Sequence, residues 1–185
     1  ICHRQGKNFN KIDQLKLIVS EFECLLEDAT KEEQLQIFLK KHPMLLSPTA
    51  SQIPKQKLGS DFVTDFVLAE TQQQGSKYIL VEIEKSTHRI FLNDNSSLSK
   101  EVDHAIKQTV DWDVWLEKNK AYLQGKLPNF ETPEYLIVIG RGNQLDENAN
   151  EYLRSYNRRL NNTQILTYDD LLVRFKKLIE KLECD

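Results

Sequence analysis

An α/β domain built on a mixed β-sheet is the fold class this chain predicts, and three observations carry that reading. Two apolar runs, FVTDFVLAE and YILVEIEKS, flank the polar segment TQQQGSK and read as a hairpin turning near Gly75. A later run, YLIVIGR, is apolar on both alternations, as a strand buried on both faces must be. Helical stripes lie between and around these runs, so the order is helix, two or three strands, helix, strand, helix, strand, helix.

The elements follow in chain order. KIDQLKLIVSEFECLLEDA carries Leu15, Ile18, Val19, Phe22, Leu25 and Leu26 at the helical period of a single buried stripe. A second helix, EEQLQIFLKKH, is predicted after Thr30 as its cap, with Glu33 at the capping-box position and Pro43 as its stop. MLLSPTASQIPKQKLGS is extended and rich in turn formers, and IFLNDNSSLS is a polar loop after the hairpin. Ser99 caps a long helix, KEVDHAIKQTVDWDVWLEKN, whose first turn holds Glu101 and Asp103 where the helix dipole favours acids. A loop with Gly125, Pro128 and Pro133 leads to YLIVIGR, then a helix in NANEYLRSYNRRLNN, a short strand in TQILTY and a closing helix in DDLLVRFKKLIEKLE. No repeat or linker divides the chain, so it reads as one body over residues 31–185 with an N-terminal helical extension over 1–30.

At 185 residues and 39% hydrophobic, the chain can bury a real core, and no apolar stretch approaches the length of a membrane span. A formal charge of −3 argues against coating nucleic acid by bulk electrostatics, while leaving room for an enzyme that acts on it. Lys55 with Lys57, Lys118 with Lys120, Arg154 with Arg158 and Arg159, and Arg174 with Lys176 and Lys177 are local cation clusters that either meet phosphates or form solvated faces. Cys2, Cys24 and Cys184 are odd in number and far apart, which suits a reducing cytoplasm. The start at Ile1 without Met suggests a piece of a longer polypeptide. Neither a Walker motif nor a dinucleotide fingerprint is present, so nucleotide cofactors have no support, and the four histidines lack zinc-ligand spacing.

The chemistry concentrates in acids inside apolar strands. Glu82 and Glu84 share one face because strand side chains alternate, and a hairpin brings Asp65 across from them. Three oxygen donors of this kind suit a hard divalent cation. On the long helix, Gln108 falls within the stripe of Val102, Ala105, Ile106, Thr109, Trp112 and Leu116 and so points inward, either toward those acids or as a buried amide satisfied by backbone. Glu32 shares a helical face with Leu35, Gln36 and Leu39 and could reach the same place.

The series EEQLQIFLKKHPMLL, LGSDFVTDFVLAE, ILVEIEKSTHRIF, LSKEVDHAIKQTVDW, YLIVIGR and ILTYDDLL resembles, in order, the nuclease domain of the Shedu antiphage-defence proteins within the PD-(D/E)XK nuclease superfamily. The resemblance implies a restriction-endonuclease-like mixed sheet flanked by helices, and an Mg²⁺- or Mn²⁺-dependent nuclease, most simply an endonuclease, acting on DNA as a homo-oligomer. It places Asp65 at the motif's Asp, with Thr64 before it where the motif has Pro, and Glu82 at the acidic position. The motif's Lys falls on Glu84, and Lys85 comes one residue late, on the opposite face unless a bulge re-aims it. The implied metal ligands are Asp65, Glu82 and the Ile83 carbonyl, with Glu32 as an outer ligand. Glu84 is a second ligand or the general base, Lys85 a phosphate contact, and Gln108, with Trp112 four residues on, a partner of the attacking water or a phosphate oxygen. His88, Arg89 and Arg141 are candidate contacts to the substrate backbone, an ion pair with Asp146 or Glu147 being the alternative for Arg141. The displaced lysine also admits a different outcome, a catalytically impaired nuclease-fold module that binds nucleic-acid ends or mediates assembly and regulation.

Overall fold

A computed structural model of the chain describes residues 11–29, 31–53, 64–73, 75–94 and 96–184. Thr30, Lys55, Lys57 and Cys2, named above, lie outside these, as does His3, one of the four histidines. Five strands form one sheet in the order β1 (Ala50–Gln52), β2 (Phe66–Gln72), β3 (Gly75–Ile83), β4 (Glu134–Val138) and β5 (Thr163–Leu166). The first three pair antiparallel and the last three parallel, so the sheet is mixed. The β2–β3 hairpin closes with Gln72 opposite Gly75, whose φ of 138° is open to glycine and strained for any L side chain.

Helices cover both faces, and the alternation of each strand decides which side chain goes to which layer. On one face Phe66, Leu68, Val81, Ile83, Leu136, Val138 and Leu166 pack against α1 (Lys11–Asp28), α2 (Glu32–Lys41) and α6 (Tyr168–Cys184). On the other, Tyr78, Leu80, Tyr135, Ile137 and Ile165 meet α3 (Lys100–Lys118), α4 (Lys120–Gln124) and α5 (Glu147–Arg159). Helices α3 and α5 are the crossovers that let β3, β4 and β5 run parallel, and both lie on the same side of the sheet. Helix α1 is built into the core. Phe22 is fully buried and stacks on Phe38 of α2 with ring centroids 5.3 Å apart, a burial worth about 1.5 to 3 kcal/mol before the aromatic contact is added.

Local signals explain the helix ends. Ser99 accepts a hydrogen bond from the Val102 N–H at 3.3 Å, and Asp146 accepts one from the Ala149 N–H at 2.8 Å. Helix α2 corrects an expectation: its N-cap is Lys31, whose backbone N–H donates to the Gln34 side chain at 3.1 Å. Gln34 stands three residues after the cap, so it takes the capping-box place assigned above to Glu33, which is exposed. Two short elements fall in segments read as irregular, namely β1 within the turn-rich stretch and α4 within the loop before β4. No helix among the described residues is long and apolar enough to cross a membrane.

Candidate active site

The carboxyl end of β3 gathers the acids. Phe66 stands opposite Val81, so Asp65, one residue before β2, comes beside Glu82. Its carboxylate accepts the Ile83 N–H at 2.9 Å and the Gln36 side-chain amide from α2. Thus Ile83, buried beneath the site, is tied to Asp65 through its N–H. Glu82 continues the alternation of Tyr78 and Leu80 and faces α3.

Electrostatics show how crowded this corner is. Burial first, then the charges of Asp65, Glu84 and Glu32, push the Glu82 carboxyl up to about 8, against a hydrogen bond from Gln108 that favours its ionised form. Glu84 is raised by burial, with His88 and His104 opposing and Asp65 reinforcing the shift. Glu32 is raised by burial, Asp65 and Glu84, with Lys85 opposing. Four carboxyls, from α2, the residue just before β2 and the end of β3, therefore sense one another. Among the described residues, however, no three His, Cys, Asp or Glu side chains form a ready-made cage for an ion.

Hydrogen bonding departs from regular strand pairing at Lys85, just past the end of β3. Ile83 pairs with Val138, and the Glu84 N–H still donates to the Val138 carbonyl at 2.8 Å. Regular parallel pairing would next bring the Gly140 N–H to the Glu84 carbonyl; it goes instead to the Lys85 carbonyl at 3.2 Å. The acceptor is thus one residue later on the β3 side than regular pairing requires, a bulge-like irregularity past the end of the strand. The Lys85 side chain is exposed, and its charge opposes the rise of Glu32.

The remaining candidates divide. Gln108 lies within the helix α3 stripe with its Oε1 buried and, among the described residues, without a hydrogen-bond partner. His88 Nδ1 is 3.3 Å from Glu84 Oε2, half-buried between them. His104 is exposed yet near enough for its charge to reach Glu84. Arg89 is exposed and donates to Asn93 Oδ1 at 2.6 Å.

Arg141 has other employment. Its guanidinium donates to Asp169 through Nε at 2.9 Å and Nη2 at 3.1 Å, to the Leu26 carbonyl at 3.0 Å and to Glu27 at 3.2 Å. The ion pair expected above with Asp146 or Glu147 is made with Asp169 and Glu27, because the folded chain brings α1 and α6 to the end of β4. The hydrogen bond to Asp169 holds the guanidinium charged. Burial works against an ionised Asp169, but the bonds from Arg141 and the Gly142 N–H outweigh it and hold the carboxyl low.

Two residues escaped the sequence reading. Gln36 fixes Asp65, and its only sequence signal is its place one turn after Glu32 on the same face of α2. Tyr168, fully buried at the start of α6, donates its hydroxyl to the Glu84 carbonyl at 2.6 Å, and nothing local in the sequence announces that reach. Burial, then the charges of Glu32, Asp65 and Glu84, hold its phenol well above the ordinary tyrosine range. A cleft of roughly 510 Å³ lies at the opposite end of the sheet, lined by residues such as Glu70, Lys77, Glu134 and Arg174, and shares no residue with the acid cluster.

Comparison with known proteins adds an identity to this geometry. No curated protein sequence matches the chain. Among solved structures, the restriction endonuclease FokI bound to DNA superposes with a TM-score of 0.48 at 13% identity, covering 96% of this chain and 31% of FokI. The family described as Shedu protein SduA, C-terminal, matches residues 29–172, a span running from the end of α1 through all five strands into α6. The chain belongs to the Shedu SduA C-terminal family.

Proposed function

We propose that this chain is a metal-dependent nuclease domain that hydrolyses DNA phosphodiester bonds within a cytoplasmic antiphage-defence protein of Shedu type. The observation that carries the reading is the concentration of four mutually repelling carboxyls at one corner, next to a buried amide oxygen on Gln108 that lacks a partner among the described residues. A folded protein keeps such a corner at a cost in stability, and a cation is what relieves it. The donor set is all oxygen, which fits Mg²⁺ or Mn²⁺ and disfavours softer metals.

Asp65, Glu82 and the Ile83 carbonyl would hold the ion, with Glu32 behind them; the ion supplies a more acidic water and neutralises charge on the phosphate. Glu84, 3.3 Å from His88 Nδ1, takes the proton of the attacking water or completes the ligand set. Gln108 orients that water or a phosphate oxygen, and Lys85 meets the charge of the scissile phosphate. His88 and Arg89 contact the strand backbone beside it. Two copies of the chain acting together would cut both strands.

A plasmid-cleavage assay with Mg²⁺ or Mn²⁺ tests the reading. Wild type should cut only with the ion, and Asp65→Ala and Glu82→Ala should each lose at least about 10³-fold in rate. Identical nicking by all three proteins would end it. The second reading, a nuclease-fold module that binds nucleic-acid ends or mediates assembly without cutting, draws on Glu84 at the motif lysine's place and on the internal hydrogen bonds of Asp65. It predicts end binding by wild type with no cleavage under any divalent ion.

A further inference from the structure

We propose that the Tyr168 hydroxyl is a positioning group for Lys85: by taking the Glu84 carbonyl out of the sheet ladder, it holds the bulge that turns the lysine toward the acids. The inference rests on the nuclease reading for its function, while the placement itself stands on geometry.

Three contacts make the lock. The Glu84 carbonyl, which regular pairing would give to the Gly140 N–H, accepts the Tyr168 hydroxyl at 2.6 Å. Gly140, thereby freed, donates to Lys85 at 3.2 Å, and the His88 N–H closes a turn back onto the same Lys85 carbonyl at 3.1 Å. The Tyr168 N–H donates to the Gly140 carbonyl at 3.1 Å, so one residue secures both sides of the irregularity.

Sterics push the same way. Gly140 has a φ of 69°, and a Cβ there would stand 2.6 Å from the His88 carbonyl oxygen, so only glycine lets the turn of residues 85–88 settle over the end of β4. Tyr168 is held rigidly enough to act as a fixed donor, since it is fully buried and its ring meets Phe22 edge-on at 6.4 Å. A buried carbonyl without a donor is expensive, which is why the bulge needs this hydroxyl. Were the hydroxyl absent, the Glu84 carbonyl would recapture the Gly140 N–H, the extra residue would slip out, and strand alternation would carry Lys85 to the other face.

Tyr168→Phe keeps the ring and deletes only the donor. With lysines reductively ¹³C-methylated and the Lys85 signal assigned by Lys85→Arg, Glu32→Gln should shift that signal in otherwise wild-type protein and leave it unmoved in Tyr168→Phe. An equal shift in both backgrounds overturns the proposal, as does the lack of any shift in the wild-type background, which needs no change at Tyr168. In cleavage assays, Tyr168→Phe should lower kcat by about 10- to 100-fold with KM unchanged, and Lys85→Ala with Tyr168→Phe should be no slower than Lys85→Ala alone. Multiplying losses would assign the tyrosine to folding and sink the idea. If wild type does not cut at all, the nuclease reading falls, and the lysine signal still decides the placement.

Discussion

Two sets of carboxylates occupy the same edge of the sheet, past the carboxyl ends of the parallel strands, and the fold treats them in opposite ways. Glu27 and Asp169 surround Arg141, and the pairing holds Asp169 low. Glu32, Asp65, Glu82 and Glu84 face one another with one exposed lysine and two histidines for company, and burial with mutual repulsion holds Glu82 at about 8. The first set is compensated and ties α1 and α6 to the loop after β4. In the second, burial and a remaining mutual repulsion raise Glu32, Glu82 and Glu84, and a cluster in that state is the one with something left to bind. Net charge at a corner is therefore a better guide to chemistry here than cavity size, since the 510 Å³ cleft lies at the far end of the sheet.

The sharpest way to break this comparison is to remove the compensating cation. Arg141→Ala should cost about 2 to 3 kcal/mol of unfolding free energy, because Asp169 is left partly buried without its fork of donors. Urea denaturation reads this, and DNA affinity at fixed salt should not change. A loss of affinity without a loss of stability would make Arg141 a substrate contact.

Removing an acid from the other set should act with the opposite sign. Glu82 binds its proton more tightly in the folded chain, near 8 against an ordinary value of 4.5. Without divalent ion, folded protein therefore loses stability as pH rises from about 4.5 to 8, with no cost below that window and no further change above it. Glu82→Gln should gain about 2 kcal/mol at pH 8 and nothing at pH 4.5, less than full conversion of the shift because side-chain movement and water soften the repulsion. Thermal unfolding of both proteins in chelator across that range checks it; parallel curves would mean that Glu82 carries no such strain. The stabilised variant is also the one expected to lose cleavage.

The smallest effect belongs to Glu27→Gln. Its side chain is 73% exposed, so the pair with Arg141 is screened and should be worth less than about 0.5 kcal/mol. A loss above about 1 kcal/mol would show that the compensated set depends on α1 more than its solvent exposure implies.

Much of this corner was legible beforehand because its determinants are local. The period of two in β2 and β3, with Gly75 at the turn, brought Asp65 and Glu82 together, and the 3.6-residue stripe of α3 turned Gln108 inward. Ser99 capped its helix through an atom three residues away. Strand β1 was not legible: three residues in a turn-rich stretch carry no periodicity, and pairing with β2 decides them.

Lys85 and Arg141 mark where local reading ends. Strand alternation assigned Lys85 to the opposite face unless a bulge intervened, and the backbone there is held by a hydroxyl 84 residues away from Glu84. Arg141 was matched to acids nearby in sequence, whereas its partners lie 28 and 114 residues off. The amino-acid sequence alone settled which side chains share a face, because backbone geometry repeats over a few residues whatever surrounds it. Which charges are neutralised and which are left facing each other was decided only when distant segments packed, since Coulomb and hydrogen-bond energies depend on distance in space and take no account of separation along the chain.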